Sequence, residues 1–398
     1  KLTVKNSIFE KNSAVNGGGA IVNQAIMDII TEAGKVTRFS ENSGGQYSTI
    51  NNSGGGTLNI SVAAGGTMIF ENNSGSYGAL GNYSSAASLT ISAKNGSLID
   101  FRGNTATAGA AILNETSNIF NFTGDTVRFT NNEATSNGGA IRNSGNMAMN
   151  ITNLEFLGNK ASNKGGAIYN SGTLSLTNAI FKDNTAQSGG AVYNNGVITI
   201  SGSRFDSNIA TGAEAAAIFN AQGASAYLIN TQFYNNSSAS NNASIWNGGD
   251  MYVIADNGIS EFKDNDSDYA IAVLGTGKLY INAGNTGKVV FDDMIGSNAG
   301  GKIYINKSGL TLADGTTPIV SDGEVIFEQG KMWDCDVTLY NGTLTIKNAA
   351  LFRNKLSLEG GILNLINNKI ETFKVTDFSS QSAAKPVSYT HLTLPTIA

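Results

Sequence analysis

Residues 156–184, FLGNKASNKGGAIYNSGTLSLTNAIFKDN, contain one full period of the pattern that decides the fold. The period begins with Phe-x-x-Asn at Phe156, continues through Gly-Gly-Ala-Ile at residues 165–168, and has an asparagine at Asn170. A short alternating run follows, and the next Phe-x-x-Asn begins at Phe181. A motif that returns after so few residues predicts a stack of one supersecondary unit.

The pattern extends outward from this stretch in both directions, and successive phenylalanines are 24 to 31 residues apart. The repeat phenylalanines are Phe9, Phe39, Phe70, Phe101, Phe129, Phe156, Phe181, Phe205, Phe233 and Phe262. Their asparagines are Asn12, Asn42, Asn73, Asn104, Asn132, Asn159, Asn184, Asn208, Asn236 and Asn265. We expect these twenty residues to hold the fold.

Three short β-like runs per period, each ended by Gly or Asn, predict an all-β protein, a right-handed parallel β-helix. Equivalent residues of successive coils should then stack about 4.8 Å apart. We expect Phe to form an internal aromatic row, Ile or Val an aliphatic row, and Asn a ladder of amide hydrogen bonds. The small Gly-Gly-Ala step should mark a corner without room for larger side chains, and Gly and Asn should supply the positive φ that corners need.

The repeat divides the chain into three parts. Regular coils are expected over residues 1–293 and less regular coils with a closing segment over residues 294–385. Residues 386–398 resemble the translation of a sequencing adapter and are interpreted as a non-native tail. That tail contains His391, the only histidine, so we expect no histidine chemistry.

Composition limits the classes of function. Charged residues are 14% of the chain and the net charge is -5, which gives no basic stripe and excludes nucleic acid as an expected partner. The single cysteine, Cys335, excludes an internal disulfide and is expected to be a buried thiol. No cofactor is predicted.

The repeated Phe-x-x-Asn and Gly-Gly-Ala-[Ile/Leu/Val] motifs are similar to the repeats of chlamydial polymorphic outer-membrane proteins. The resemblance covers about residues 1 to 275. It implies the passenger of an autotransporter, carried across an outer membrane by a C-terminal β-barrel that would lie beyond this fragment. It also implies location at the outer-membrane surface or outside a Gram-negative-type bacterium, and adhesion to host cells.

Two sets of residues are candidates for binding. Tyr169, Tyr193, Phe219 and Trp246 each follow the aliphatic position and should alternate outward, either as an exposed aromatic stripe or packed under a loop. Asp264, Asp266 and Asp268, with Asp293 one coil away, resemble the start of a Ca²⁺ loop. Because Tyr269 replaces the glycine of such a loop, a solvated acidic turn is the favoured interpretation.

An enzyme is not expected, although parallel β-helices also include polysaccharide lyases and hydrolases, which need clustered carboxylates and a basic residue. The six arginines are scattered, and Arg38, Arg128 and Arg204 each precede a repeat Phe, which predicts an outward row instead of one site.

The sequence therefore favours an adhesin that contacts a host-cell or extracellular-matrix protein or glycan through many weak sites. A passive surface stalk or self-associating fibre is the first alternative, and a polysaccharide lyase or hydrolase is the second.

Overall fold

The computed structural model describes residues 1–212, 214–239, 243–265, 268–298, 300–328, 332–333, 336–347, 355–366, 377–380 and 388–389. These residues form parallel strands stacked as a β-solenoid of about 11 turns, with no helix among them. The predicted fold class is confirmed, and the right hand of the solenoid stays a prediction.

Two ladders of parallel strands, A and B, form most of the wall, and two long strands each contribute to both. Ladder A contains Leu2–Lys5, Ile26–Thr31, Thr57–Val62, Ser88–Ala93, the first halves of Ile119–Thr130 and Asn146–Leu157, Thr173–Thr177, Val197–Ser201, Ser225–Ile229, Asp250–Asp256, Lys278–Gly284, Lys302–Ile305, Asp336–Leu339, Lys355–Leu358 and Asp377–Ser380. Ladder B contains Ile8–Glu10, Val36–Ser40, Thr67–Glu71, Leu98–Arg102, the second halves of the two long strands, Ala179–Lys182, Arg204–Asp206, Gln232–Tyr234, Ile259–Lys263, Lys288–Phe291, Glu324–Phe327, Thr343–Lys347, Ile362–Ile366 and Ser388–Tyr389.

Two further ladders close each turn, so regular turns have four strand positions where the sequence predicted three. Ladder C is a row of short strands after the repeat asparagine: Ser74–Tyr77, Thr105–Ala108, Glu133–Ala134, Lys160–Ala161, Thr185–Ala186, Ile209–Ala210 and Ser237–Ser238. Ladder D contains Ile21–Asn23, Ile50–Asn52, Leu80–Asn82, Ile112–Asn114, Ile141–Asn143, Ile168–Asn170, Val192–Asn194, Ile218–Asn220, Ala243–Asn247, Tyr269–Leu274, Ile295–Asn298 and Met332–Trp333.

The repeat phenylalanines stack inside the solenoid as predicted. Adjacent rings lie 4.5 to 5.0 Å apart between centroids and are nearly parallel. The row extends beyond Phe262 to Phe291, where the sequence has a copy of the motif without its asparagine, and on to Phe327, which the sequence analysis had not assigned to it. Each fully buried ring contributes roughly 1.5–3 kcal/mol from burial alone.

The repeat asparagines form the predicted amide ladder beside the phenylalanines. Asn159 donates from its backbone nitrogen and from Nδ2 to Oδ1 of Asn184, both at 3.0 Å. Its Nδ2 also donates to the carbonyl oxygen of Phe129 in the preceding turn, at 2.8 Å. Its Oδ1 accepts from the backbone nitrogen and Nδ2 of Asn132. The donor and acceptor atoms of the buried Asn159 side chain therefore all have hydrogen-bond partners, which offsets the free-energy cost of burying a polar group.

A second amide ladder runs along ladder D, with Nδ2 to Oδ1 distances of 2.8 to 3.0 Å from each turn to the next. Its members are Asn23, Asn52, Asn82, Asn114, Asn143, Asn170, Asn194, Asn220 and Asn247. In both ladders each side-chain amide donates towards the C-terminal turn.

At the corner after each phenylalanine, the residue in the left-handed region is the one immediately before the repeat asparagine, such as Asn72 (φ 53°), Gly103 (φ 61°) and Asn131 (φ 52°). Glycine and asparagine thus supply positive φ at corners as expected, although Lys11 (φ 55°) and Glu41 (φ 53°) do so in the first two turns. The motif asparagine is thus required for its amide and not for its backbone conformation.

The Gly-Gly-Ala corner is as tight as the sequence predicted. A Cβ placed on Gly166 would lie 2.0 Å from the carbonyl oxygen of Gly190 in the next turn, and one on Gly139 would lie equally close to the carbonyl oxygen of Gly166. The first glycine of the step is in the left-handed region, with φ 66° at Gly165. Adjacent turns touch here through their backbones, so the corner holds only small residues, and in the turn of Ile218 the alanines Ala215 and Ala216 replace both glycines.

Beyond residue 293, ladders A and B continue, and a hairpin over residues 306–322 interrupts one turn. Leu312 donates its backbone N–H to the carbonyl oxygen of Thr317, and Ile319 donates to that of Leu310, both at 2.8 Å. The hairpin connects Lys302–Ile305 of ladder A to Glu324–Phe327 of ladder B.

Replacing an interior ladder asparagine should destabilise the solenoid. Asn159→Ala removes the acceptor for the backbone nitrogen and Nδ2 of Asn132, so the free energy of unfolding should fall by about 2–4 kcal/mol. Urea unfolding followed by circular dichroism measures the change. Asn153→Ala is the control, because Asn153 is exposed and makes one long bond of 3.5 Å to Thr126. Equal stability of the two variants would contradict a structural role for the ladder.

Candidate functional site

The outward side chains of ladder D form a continuous row because its strands pair in register. Each strand buries an aliphatic residue and an asparagine and turns the residue between them outward. Register places the outward residues side by side in successive turns: Arg142, Tyr169, Tyr193, Phe219, Trp246 and Ala272. The four candidate aromatics, which we call the aromatic stripe, are therefore brought together as the sequence predicted.

The rings of the aromatic stripe are in direct contact. Tyr169 and Tyr193 have centroids 5.6 Å apart, and Tyr193 and Phe219 stack at 4.7 Å with an interplanar angle of 4°. Trp246 is tilted by 41° from Phe219 at 5.8 Å. The stripe is a rigid surface because its rings are held by the strands and by one another.

The stripe is neither fully exposed nor covered. Tyr193 is 8% exposed and packs against Ala221 and Ala224, whereas Tyr169 and Phe219 are half-buried. Lys164 covers the centre, with its Nζ 4.4 Å from the ring centroid of Tyr193 and donating to its hydroxyl at 3.2 Å. The two outer aromatics, Tyr169 and Trp246, are therefore the better candidates for ligand contact.

Trp246 contains the least satisfied polar atom of the stripe. Its Nε1 is shielded from solvent and has no hydrogen-bond partner among the described residues, while the ring as a whole is half-buried. An unpartnered buried donor is costly, so a small rotation of the indole towards an acceptor would be favourable.

The stripe is confined to four turns, because Arg142 and Ala272 occupy the adjacent positions of its row and glycines lie further out. At Gly81 and Gly296, which share its row, a Cβ would lie 2.3 Å and 2.2 Å from ring carbons of Tyr83 and Tyr269. In those turns a tyrosine from another position covers the strand. The outward aromatic side chains of this row are thus confined, among the described turns before residue 299, to the four predicted residues.

The arginines form an outward row on ladder B, as predicted. Arg38, Arg128 and Arg204 occupy equivalent positions two or more turns apart. Their nearest carboxylates are Glu71 at 3.2 Å, Glu155 at 2.8 Å and Asp206 at 2.7 Å, respectively. Each charge is paired locally, and the three do not converge on one site.

The candidate Ca²⁺ residues take a different arrangement. Asp293 accepts from Nδ2 of Asn265 at 2.7 Å, so its carboxylate occupies the end of the amide ladder where the motif asparagine is replaced by Met294. Asp266 lies outside the described residues. In the described part of the chain, no group of three or more His, Cys, Asp and Glu is arranged to hold a metal ion. For Asp264, Asp266, Asp268 and Asp293, a solvated acidic turn stays the favoured interpretation and calcium binding the alternative.

Sequence reasoning missed a second aromatic row, on ladder A. Tyr227, Tyr252, Tyr280 and Tyr304 are in register in four successive turns. The signal was present, because each tyrosine comes two residues after the first residue of an alternating run and precedes an aliphatic residue. It was overlooked because three of the four lie where the Phe-x-x-Asn and Gly-Gly-Ala signature fades.

The fold and its surface rows define a repeat solenoid that presents aromatic rows on a rigid wall. Residues 6–24, 126–144 and 153–171 match the family model of the Chlamydia polymorphic membrane protein repeat. Each of the three segments contains one Phe-x-x-Asn and one intact Gly-Gly-Ala-Ile step. The resemblance found in the sequence is confirmed, and the chain carries repeats of this family. No curated protein matches the chain.

Repeat family and solenoid together fit an autotransporter-like surface passenger. The family is associated with the surface of Gram-negative bacteria. The described residues include no helix with the length and hydropathy that crossing a membrane requires. Cys335 and His391 lie outside the described residues.

Asp293 should make stability depend on pH. Burial, followed by the charges of Asp292 and Asp264, raises the pKa of its carboxyl, against the opposing hydrogen bonds from Asn265. A raised folded-state pKa gives stability that is complete below the unfolded value of about 3.9 and is lost as pH rises through the folded value. Asp293→Asn should therefore be more stable than the wild type at neutral pH and lose less stability between about pH 4 and 7.

Thermal unfolding of both proteins across this pH range is the measurement. Asp314→Asn is the matched control, for which the opposite change in stability is expected, since hydrogen bonds from Thr317 lower the pKa of Asp314 to about 2. That variant should lose stability at neutral pH. An unchanged pH profile for Asp293→Asn would refute the burial of a charged carboxylate at the ladder end.

Proposed function

We propose that this chain acts as an adhesin, in which the aromatic stripe contacts a host-cell or matrix ligand. The observation that carries the proposal is the row of Tyr169, Tyr193, Phe219 and Trp246 in contact on the wall of a rigid rod. Tyrosine and tryptophan are enriched among residues that dominate binding energy, because they give a large contact area at a small entropic cost.

The surroundings of the stripe support a binding role. Its outer members Tyr169 and Trp246 are half-buried and thus accessible, and the rings cannot move independently because they are stacked. A preorganised surface loses little conformational freedom when it binds. Several such chains on one cell would sum weak contacts by avidity.

Carbohydrate cleavage has less support. A lyase or hydrolase needs carboxylates and a basic residue that converge on one substrate bond. Arg38, Arg128 and Arg204 are instead paired with separate carboxylates in separate turns. The repeat family is also one of surface proteins and not of enzymes.

Adhesion is tested by measuring binding of the purified chain to cultured epithelial cells and to matrix-coated surfaces. The double variant Tyr169→Ala/Trp246→Ala should bind at least about tenfold more weakly than the wild type, since removing a hot-spot aromatic costs about 2 kcal/mol or more. Ile180→Ala is the matched control, because Ile180 is 41% exposed on ladder B and away from the stripe. Circular dichroism of the wild type and both variants verifies the fold.

Two results would overturn the proposal. If the wild type binds neither cells nor matrix, the chain is a passive stalk, and sedimentation then distinguishes a single rod from a self-associating fibre. If the double variant binds as tightly as Ile180→Ala, adhesion does not use the aromatic stripe.

A further inference from the structure

The tyrosines of ladder A form a stacked row of phenol rings. Tyr227 and Tyr252 have centroids 4.5 Å apart, Tyr252 and Tyr280 4.7 Å, and Tyr280 and Tyr304 5.0 Å. The rings stack face to face along the rod, so their faces are occupied. Tyr280 is 7% exposed, whereas Tyr227, Tyr252 and Tyr304 are half-buried. The row therefore places hydroxyl-bearing rings at nearly constant spacing.

The hairpin of residues 306–322 forms a wall on one side of this row. Asn282, which is two residues after Tyr280 on the same face, donates from Nδ2 to the carbonyl oxygens of Lys307 at 3.0 Å and Val320 at 3.3 Å. A Cβ placed on Gly284 would lie 2.1 Å from side-chain atoms of Val320. The base of the hairpin is thus fixed directly on the outward face beside the tyrosines.

The turn at the tip of the hairpin is closed by Asp314, whose carboxylate accepts hydrogen bonds from the backbone nitrogens of Thr316 and Thr317, both at 2.8 Å.

Two lysines lie on the side of the tyrosine row that is opposite the hairpin. Lys278 and Lys302 precede Tyr280 and Tyr304 by two residues, so they lie on the same face, and both are exposed. Lys278 is 3.9 Å from Asp250. The tyrosine row, the hairpin and these lysines together enclose what we call the tyrosine groove.

Two of the lysines at the groove have no carboxylate partner in the described part of the chain. Lys302 and Lys307 make no salt bridge there, although the chain has more acidic than basic residues. Nζ of Lys307 lies 4.9 Å from the ring centroid of Tyr304 and 5.8 Å from that of Tyr280. This end of the groove therefore has positive charge available for an anionic ligand.

The tyrosine hydroxyls add hydrogen-bond donors to the positive charge of the two lysines. Burial raises the pKa of Tyr280 to about 12, and it also raises the pKa of Tyr252 and Tyr340. The hydroxyls are therefore protonated at physiological pH and can donate hydrogen bonds to anionic or hydroxyl oxygens.

We propose that the tyrosine groove binds an acidic polysaccharide, with Lys302 and Lys307 pairing with its anionic groups and the tyrosine hydroxyls bonding along the chain. The regular spacing of the tyrosines is the reason for choosing a polysaccharide as the ligand. A regular row of identical donors suits a polymer of repeating sugars better than a peptide with varied side chains. A peptide also cannot add as a strand, because the backbone groups of ladder A are already paired on both sides here.

The inference goes beyond the proposed adhesion, since it concerns a different face and needs no host cell. The test is calorimetric titration of the purified chain with hyaluronan and heparin as acidic polysaccharides, dextran as a neutral one, and poly-L-glutamate as an acidic peptide. Three variants are compared: Lys302→Gln/Lys307→Gln, Tyr280→Phe/Tyr304→Phe, and the control Lys160→Gln, whose lysine pairs with Glu133 on ladder C.

The wild type should bind hyaluronan or heparin and should not bind dextran. The lysine variant should bind at least about tenfold more weakly, because it loses two charge-assisted contacts. The phenylalanine variant keeps the stacked rings and loses only hydroxyls, so its affinity should fall about fivefold while its melting temperature is retained. Lys160→Gln should match the wild type.

Three results would overturn the inference: no binding of either acidic polysaccharide, unchanged affinity in both groove variants, or equal affinity for poly-L-glutamate, which would indicate unspecific attraction of anions. Tyr169→Ala/Trp246→Ala should bind the polysaccharide normally. Because different variants test the two surfaces, loss of polysaccharide binding at the tyrosine groove is distinguished from loss of adhesion at the aromatic stripe.

Discussion

The hydrogen bond from one buried asparagine side chain to the next holds the register of the regular turns of the solenoid. The side chain of Asn159 makes hydrogen bonds to Asn132, to Asn184 and to the backbone of Phe129. These bonds fix the position of its turn along the solenoid axis and the position of the neighbouring strand. Phenylalanine stacking then follows, because rings on strands held in this register can only meet face to face. Burial of these rings adds to the hydrophobic contribution of the aliphatic core, while the amides align the residues that become neighbours.

This division explains how much the sequence could predict. Inward positions accept one type of residue, so Phe156, Asn159 and the Gly165-Gly166 corner repeat visibly and predict the fold. The residue before each asparagine has a left-handed backbone and is mostly Gly, Asn or Asp, but Lys11, Glu41 and Ser207 occupy the same position, so its pattern is weaker. Outward positions are free to vary, and the tyrosine groove was missed for that reason. Its hairpin also belongs to a single turn, and a feature that does not repeat has no period to reveal it.

The two aromatic rows differ although the same register produces them. On ladder D, Lys164 and the alanines around Tyr193 close the centre, so the accessible surface is mainly apolar and lies at the two ends. On ladder A, the hairpin packs on the outward face beside the buried Tyr280, Lys307 lies over the ring of Tyr304, and Lys302 is exposed at the edge of the row. One scaffold thus provides an apolar surface and a polar, cationic surface on separate faces.

The common direction of the amide bonds has a further consequence. Every side-chain amide in both asparagine ladders donates towards the C-terminal turn, so their dipoles add along the axis in place of cancelling. The positive end of the first ladder meets the carboxylate of Asp293, much as anions are stabilised at the N-terminus of a helix. The interior is therefore electrically polarised, and a turn of reversed direction could not extend either ladder. Such a rod can therefore be extended only by turns that run in the same chain direction.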